Sequence, residues 1–150
     1  MKEKIVLLLD ADADCAGTVL EAGARTGHGV RLSRDGPQAF AFLNREFDCI
    51  DSLVVDVDPG SDGTALLATL CALWHRLPVI VLTAAVEESH MKPVVLRYGA
   101  VACLGKPFSV ERLTRVIDRF VRSENDQEVS CDPWGHPFGH ETEMENVAYA

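Results

Sequence analysis

The sequence predicts an α/β protein built on a five-stranded parallel sheet with helices on both faces, and three observations predict it. Five short apolar runs recur along the chain, segments of helical spacing separate them, and three of the runs are almost continuously aliphatic. Strands covered on both faces must read that way, and regular alternation of strand and helix builds a parallel sheet. With 150 residues, 47% of them hydrophobic, the chain has room for one domain with a genuine core.

The first run, IVLLL at residues 5–9, ends in the acidic stretch DADAD. A helix follows over 16–25, where Val19, Leu20 and Ala24 share a stripe, with Asp12 read as its N-cap and Asp14 in its first turn. The second run is HGVRL at 28–32, and the helix after it, over 37–43, lines up Ala39, Phe40 and Leu43. The third run, LVV at 53–55, closes on Asp56 and leads through PGSDG to a helix over 64–74 carrying Leu66, Leu67, Leu70, Leu73 and Trp74. Asp62 and Gly63 are read as a turn and cap before that helix.

The fourth run, VIVL at 79–82, closes on Thr83. The segment 87–98 should be helical, yet Pro93 lies inside it, which predicts a late start with Pro93 in the first turn. The fifth run, VACL at 101–104, leads into Lys106, and the last helix spans 110–121 through Leu113, Val116, Ile117, Phe120 and Val121, with Ser109 as N-cap. By analogy with other doubly wound sheets, the expected strand order is the flavodoxin-like 2-1-3-4-5.

Charge divides the chain into a domain over 1–123 and an acidic tail over 124–150. The tail holds 7 acids and no Lys or Arg, while all 14 basic residues stand in the first part against 16 acids. The tail is expected to be largely disordered or docked, and Trp134 and Phe138 favour docking. Its Cys131, His136 and His140 have a spacing that suits zinc, but a structural site normally needs a fourth ligand and a fixed turn, so a metal site there is disfavoured. Clustered basic residues are absent, which argues against direct nucleic-acid binding. The expectation of a cytoplasmic chain rests on three features: no leader-like segment, no apolar stretch of membrane-spanning length, and five scattered cysteines without a C-x-x-C pair. His28, His75 and His90 are isolated in sequence and read as surface or edge residues.

Ligands of open parallel sheets bind beyond the carboxyl ends of the strands. The run ends therefore bring Asp10, Asp56, Thr83 and Lys106 to one mouth. Carboxylates there hold a hard cation, while a hydroxyl and an ammonium neutralise phosphoryl oxygens. From about Lys4 to Arg122 the chain resembles a response-regulator receiver domain: an acidic end to strand 1, the aspartate closing DSLVVD with PGSDG after it, the Thr closing strand 4, and Lys-Pro-Phe after strand 5.

The resemblance implies several things. Asp56 accepts a phosphoryl group from a histidine kinase or phosphotransfer protein, Thr83 and Lys106 contact that group, and the Lys106–Pro107 bond is cis. Magnesium is held by Asp10, Asp56 and the backbone carbonyl of Asp58. The domain signals by protein contact, to a downstream partner or a second copy, through the helix 4, strand 5 and helix 5 face. It is not an enzyme.

Three departures from the family pattern bear on function. Ala11 stands where the second acid of the pair is usual, so magnesium binding is expected to be weak unless Asp12 substitutes. The loop after Asp56 is one residue short, which is expected to move the Asp58 carbonyl away from the metal. Strand 5 carries Cys103 where the family has a Tyr or Phe whose rotation, with Thr83, reports phosphorylation. A small buried residue is the favoured reading of Cys103, in preference to an exposed thiol that senses oxidants. These departures define an alternative, a degenerate receiver acting as a phosphorylation-independent binding module. A haloacid-dehalogenase type of phosphohydrolase, which also begins with D-x-D after a strand, is disfavoured because no strand-ending acidic pair follows Lys106 and Asp56 has no role in it.

Overall fold

The computed structural model describes residues 4–10, 15–57 and 63–121. Five parallel strands, β1 (Ile5–Leu9), β2 (Gly29–Ser33), β3 (Ile50–Asp56), β4 (Val79–Ala84) and β5 (Ala102–Lys106), form one sheet in the order β2-β1-β3-β4-β5. The helices are α1 (Ala16–Arg25), α2 (Gly36–Glu46), α3 (Gly63–Leu73), α4 (Glu88–Tyr98) and α5 (Val110–Phe120). The doubly wound fold and its expected strand order are both present.

Alternation along β1 explains the two-sided core. Leu7 and Leu9 face a layer with Ala39 and Leu43 of α2, Leu67 and Leu70 of α3, and Met91 and Val95 of α4. Val6 and Leu8 face Val19 and Ala22 of α1 and Leu113, Val116 and Ile117 of α5. Successive strand residues point to opposite faces, so a run without polar residues serves both layers. Trp74 packs at the rim of the first layer, its ring centroid 5.4 Å from that of Phe40.

Caps account for the sharper boundaries. Asp35 accepts from the Gln38 N–H at 2.8 Å to start α2, with Pro37 in the first turn, and Ser109 accepts from the Arg112 N–H at 3.1 Å to start α5. Gly99 ends α4 with φ 116°, a left-handed conformation that favours glycine.

The structure corrects several expectations. Helix α1 begins at Ala16 with Cys15 at its N-cap and no acid in its first turn, so Asp12 does not cap it and Asp14 does not lie in that turn. Both residues, with Asp62 and the tail over 124–150, fall outside the described residues, as do Ala11 and Asp58. Pro93 is the sixth residue of α4, not part of its first turn. Proline is tolerated there because both its ring and Ser89, whose carbonyl loses an N–H partner, are exposed to water.

His28 lies at the sheet edge, directly before β2, but it is not isolated. Its side chain is 6% exposed, with Nε2 3.1 Å from Asp51 Oδ2 and Nδ1 2.9 Å from Thr26 Oγ1, which ties the end of α1 to the start of β3. His75 and His90 are exposed as expected. Removing the imidazole takes the Nε2 partner from Asp51, while Thr26 Oγ1 keeps its bonds to the Ala22 and Gly23 carbonyls, so His28→Ala is expected to lower stability by roughly 1–2 kcal/mol. A urea denaturation curve should show this as a lower midpoint with an unchanged slope.

Candidate functional site

Register places the site residues at one edge of the sheet. Leu9 pairs with Val55, so the next residues, Asp10 and Asp56, leave adjacent strands side by side. Asp56 pairs with Leu82, which puts Thr83 one residue further out, and Thr83 pairs in turn with Gly105, the residue before Lys106. Backbone bonds hold these ends in place: the Asp10 N–H donates to the Ser33 carbonyl at 3.1 Å, and the Val57 N–H to the Leu82 carbonyl at 2.8 Å. The mouth expected from the sequence therefore forms, with Asp10, Asp56, Thr83 and Lys106 around it.

Lys106 Nζ donates to Asp56 Oδ2 at 2.7 Å, with both side chains largely buried. Asp10 is 2% exposed. The Thr83 hydroxyl is fully buried and has no hydrogen-bond partner among the described residues. A buried hydroxyl without a partner carries a desolvation penalty that an arriving oxygen relieves. The Lys106–Pro107 peptide bond is cis.

The donors suit a hard divalent cation as far as they go. Two carboxylates from adjacent strand ends are all-oxygen ligands, and magnesium takes one or two carboxylates and completes its shell with water and phosphate. Among the described residues no group of three metal-binding side chains comes together. Asp12 and Asp58, the other expected ligands, lie outside the described residues.

Beside this mouth is a group the sequence reading missed. Glu88, the first residue of α4, accepts from Arg112 of α5 at 2.7 Å and lies 3.7 Å from Lys92 Nζ. Burial pushes the Glu88 carboxyl up, but the Arg112 hydrogen bond and charge, the Lys92 charge and the Gly105 N–H outweigh it and hold the carboxyl below its ordinary value. The spacing of Glu88 and Lys92 is a visible i, i+4 pair. The contact with Arg112 joins residues 24 apart and has no local signal.

Cys103 is fully buried, as favoured from the sequence, and lines the layer shared with α3 and α4. Burial, aided by the Glu88 charge and opposed by Lys92 and Arg112, pushes its thiol up to about 11. A thiol so placed is neither accessible nor ionised at neutral pH. Maleimide treatment of the native protein is expected to leave Cys103 unmodified, with full modification only after denaturation, as peptide mapping by mass spectrometry would show.

The model of the response regulator receiver domain family matches residues 6–118. The chain is 32% identical over 126 residues to the transcriptional regulatory protein RprY of Bacteroides fragilis, covering 81% of this chain and 51% of that protein. It is also 32% identical over 120 residues to the transcriptional regulatory protein FixJ of Bradyrhizobium diazoefficiens, covering 78% and 56% of the two. It spans about half the length of these curated relatives.

Among solved structures, a response regulator from Thermotoga maritima superposes with a TM-score of 0.68 at 26% identity, over 81% of this chain and 99% of that one. A putative response regulator from Chloroflexus aurantiacus gives 0.67 at 29% identity, over 81% and 100%. Family match and fold agree: the chain belongs to the response regulator receiver domain family of two-component signal transduction.

Proposed function

We propose that this domain accepts a phosphoryl group on Asp56 from a histidine kinase or phosphotransfer protein and passes the signal on by protein contact. The carrying observation is the 2.7 Å contact of Lys106 Nζ with the Asp56 carboxylate, at an edge that also holds Asp10 and the unpartnered Thr83 hydroxyl.

In the transfer, one Asp56 oxygen attacks phosphorus, forming an O–P bond while the bond from phosphorus to the donor nitrogen breaks and its electron pair leaves with the donor. Lys106 and Thr83 stabilise the charge spread over the other phosphoryl oxygens. Asp10 and Asp56, with Asp12 or the Asp58 carbonyl, would hold magnesium, which when bound neutralises charge on the transferring group. The acyl phosphate carries about 1.5–2 negative charges where the carboxylate carried one, a net gain of roughly 0.5–1 beside Lys106.

The signalling domain covers residues 1–123, and the acidic stretch over 124–150 is a separate tail. The protein acts as a signalling module of the cytoplasm and not as an enzyme, and among the described residues no helix is long and apolar enough to cross a membrane. The face of α4, β5 and α5 is its surface for a downstream protein or a second copy.

Phosphoramidate, a small donor with the P–N bond of phosphohistidine, tests the reading. The expected product is an adduct on Asp56 that hydroxylamine removes, as it does an acyl phosphate. An adduct resistant to hydroxylamine would place the group on another side chain and contradict the reading. Ala11→Asp is expected to tighten magnesium binding by restoring a second acid, measured by calorimetric titration. Unchanged affinity would show that position 11 does not face the metal.

A further inference from the structure

We propose that Glu88 is the positioning residue that couples the acceptor pocket to helices α4 and α5. The proposal rests on the phosphoacceptor reading of Asp56. Gly105 links the two phosphoryl-contacting residues, because it precedes Lys106 in the chain and pairs with Thr83 across the ladder. Any phosphoryl group on Asp56 that draws in Thr83 and Lys106 therefore pulls on both neighbours of this one residue.

Gly105 has no slack on its outer side. A Cβ there would lie 2.9 Å from Glu88 Oε2 and 3.0 Å from the Ala85 Cα, so β5 and the segment leading into α4 are packed backbone to backbone. Close-packed elements move together, because no void absorbs a displacement. A shift at Gly105 thus reaches the Glu88 carboxylate directly.

Glu88 in turn carries both helices. Its Oε1 accepts from Arg112 Nη2 of α5 at 2.7 Å and faces Lys92 Nζ of α4 at 3.7 Å. The Arg112 guanidinium is only partly used, since its Nε is buried and has no hydrogen-bond partner among the described residues. A guanidinium forms its strongest pairs with two parallel N–H donors. The single contact seen here leaves the buried Nε–H as the donor that a movement of Glu88 would engage in a two-pronged pair. Cys103, buried and small, occupies β5 beneath this network without contributing a rotating side chain.

Amide chemical shifts recorded with and without beryllium fluoride and magnesium, the fluoride serving as a phosphoryl mimic, test the coupling in the wild type, Glu88→Gln, Glu88→Asp and Arg112→Gln. The wild type is expected to shift at Thr83 and Lys106 and also at Leu113 and Val116 of α5. Glu88→Gln and Arg112→Gln keep the pocket shifts and lose those on α5, and Glu88→Asp, which retains the charge, recovers part of them. Shifts on α5 that persist undiminished in the Gln variants would overturn the coupling while leaving the phosphoacceptor reading intact. A wild type whose Thr83 and Lys106 do not respond would overturn the phosphoacceptor reading and the coupling with it.

Discussion

Asp56→Asn is expected to abolish phosphorylation while leaving the fold in place. The substitution exchanges a carboxylate oxygen for an amide nitrogen at nearly constant volume. Lys106 can still donate to the remaining oxygen, so the 2.7 Å contact becomes a neutral-acceptor hydrogen bond and is not simply lost. The neighbouring Asp10 then faces a smaller total negative charge, which offsets part of the lost ion pair. Far-ultraviolet circular dichroism should therefore match the wild type.

Reactivity does not survive the change. The amide oxygen is a poor nucleophile, and the site loses one of the two described carboxylates that would face a cation. Radiolabel from a phosphoryl donor should fall to background. Label that persists in the variant would move the acceptor to Asp10, Asp12 or Asp58.

The second large effect is on stability. Leu53 is fully buried in the middle of β3, paired with Leu7 of β1 on one side and Val79 of β4 on the other. Truncation there opens a cavity between a central strand and the helix layer that includes Leu67 and Leu70. Leu53→Ala is expected to cost roughly 3–5 kcal/mol, the sum of lost transfer energy and an incompletely filled void. A domain whose whole stability is about 5–15 kcal/mol has little left after that. The melting temperature should drop by about 10–20 °C. Leu73→Ala is the control, since Leu73 is 59% exposed at the end of α3 and its truncation should change stability by less than about 0.5 kcal/mol.

Legibility followed how local each physical cause is. The short apolar runs, three of them almost continuously aliphatic, made the five strands readable, and the 3.6-residue stripes made the helices readable. Strand β3 is longer than its run suggests, beginning at Ile50. Its first polar residues hid it: Asp51 is only half-buried and meets His28, and Ser52 is buried in the sheet. The same long-range contact makes His28 a structural residue, which no spacing rule could show.

Pro93 misled for a related reason. The local rule against interior proline is sound, but its cost depends on whether the orphaned carbonyl reaches water, and that is a property of the packed fold. At the site, Asp10, Asp56, Thr83 and Lys106 were legible because strand ends in a parallel sheet converge by topology alone. The network of Glu88, Lys92 and Arg112 was not, because it joins α4 to α5 across the outer side of β5.

The most direct test of Asp56 as phosphoacceptor is the intact mass of the wild-type protein after incubation with acetyl phosphate, with and without magnesium, followed by peptide mapping. A single phosphoryl adduct that requires magnesium and maps to Asp56 is the predicted result. A folded protein that gains no adduct even at high magnesium would contradict the account and leave the domain as a binding module that works without phosphorylation.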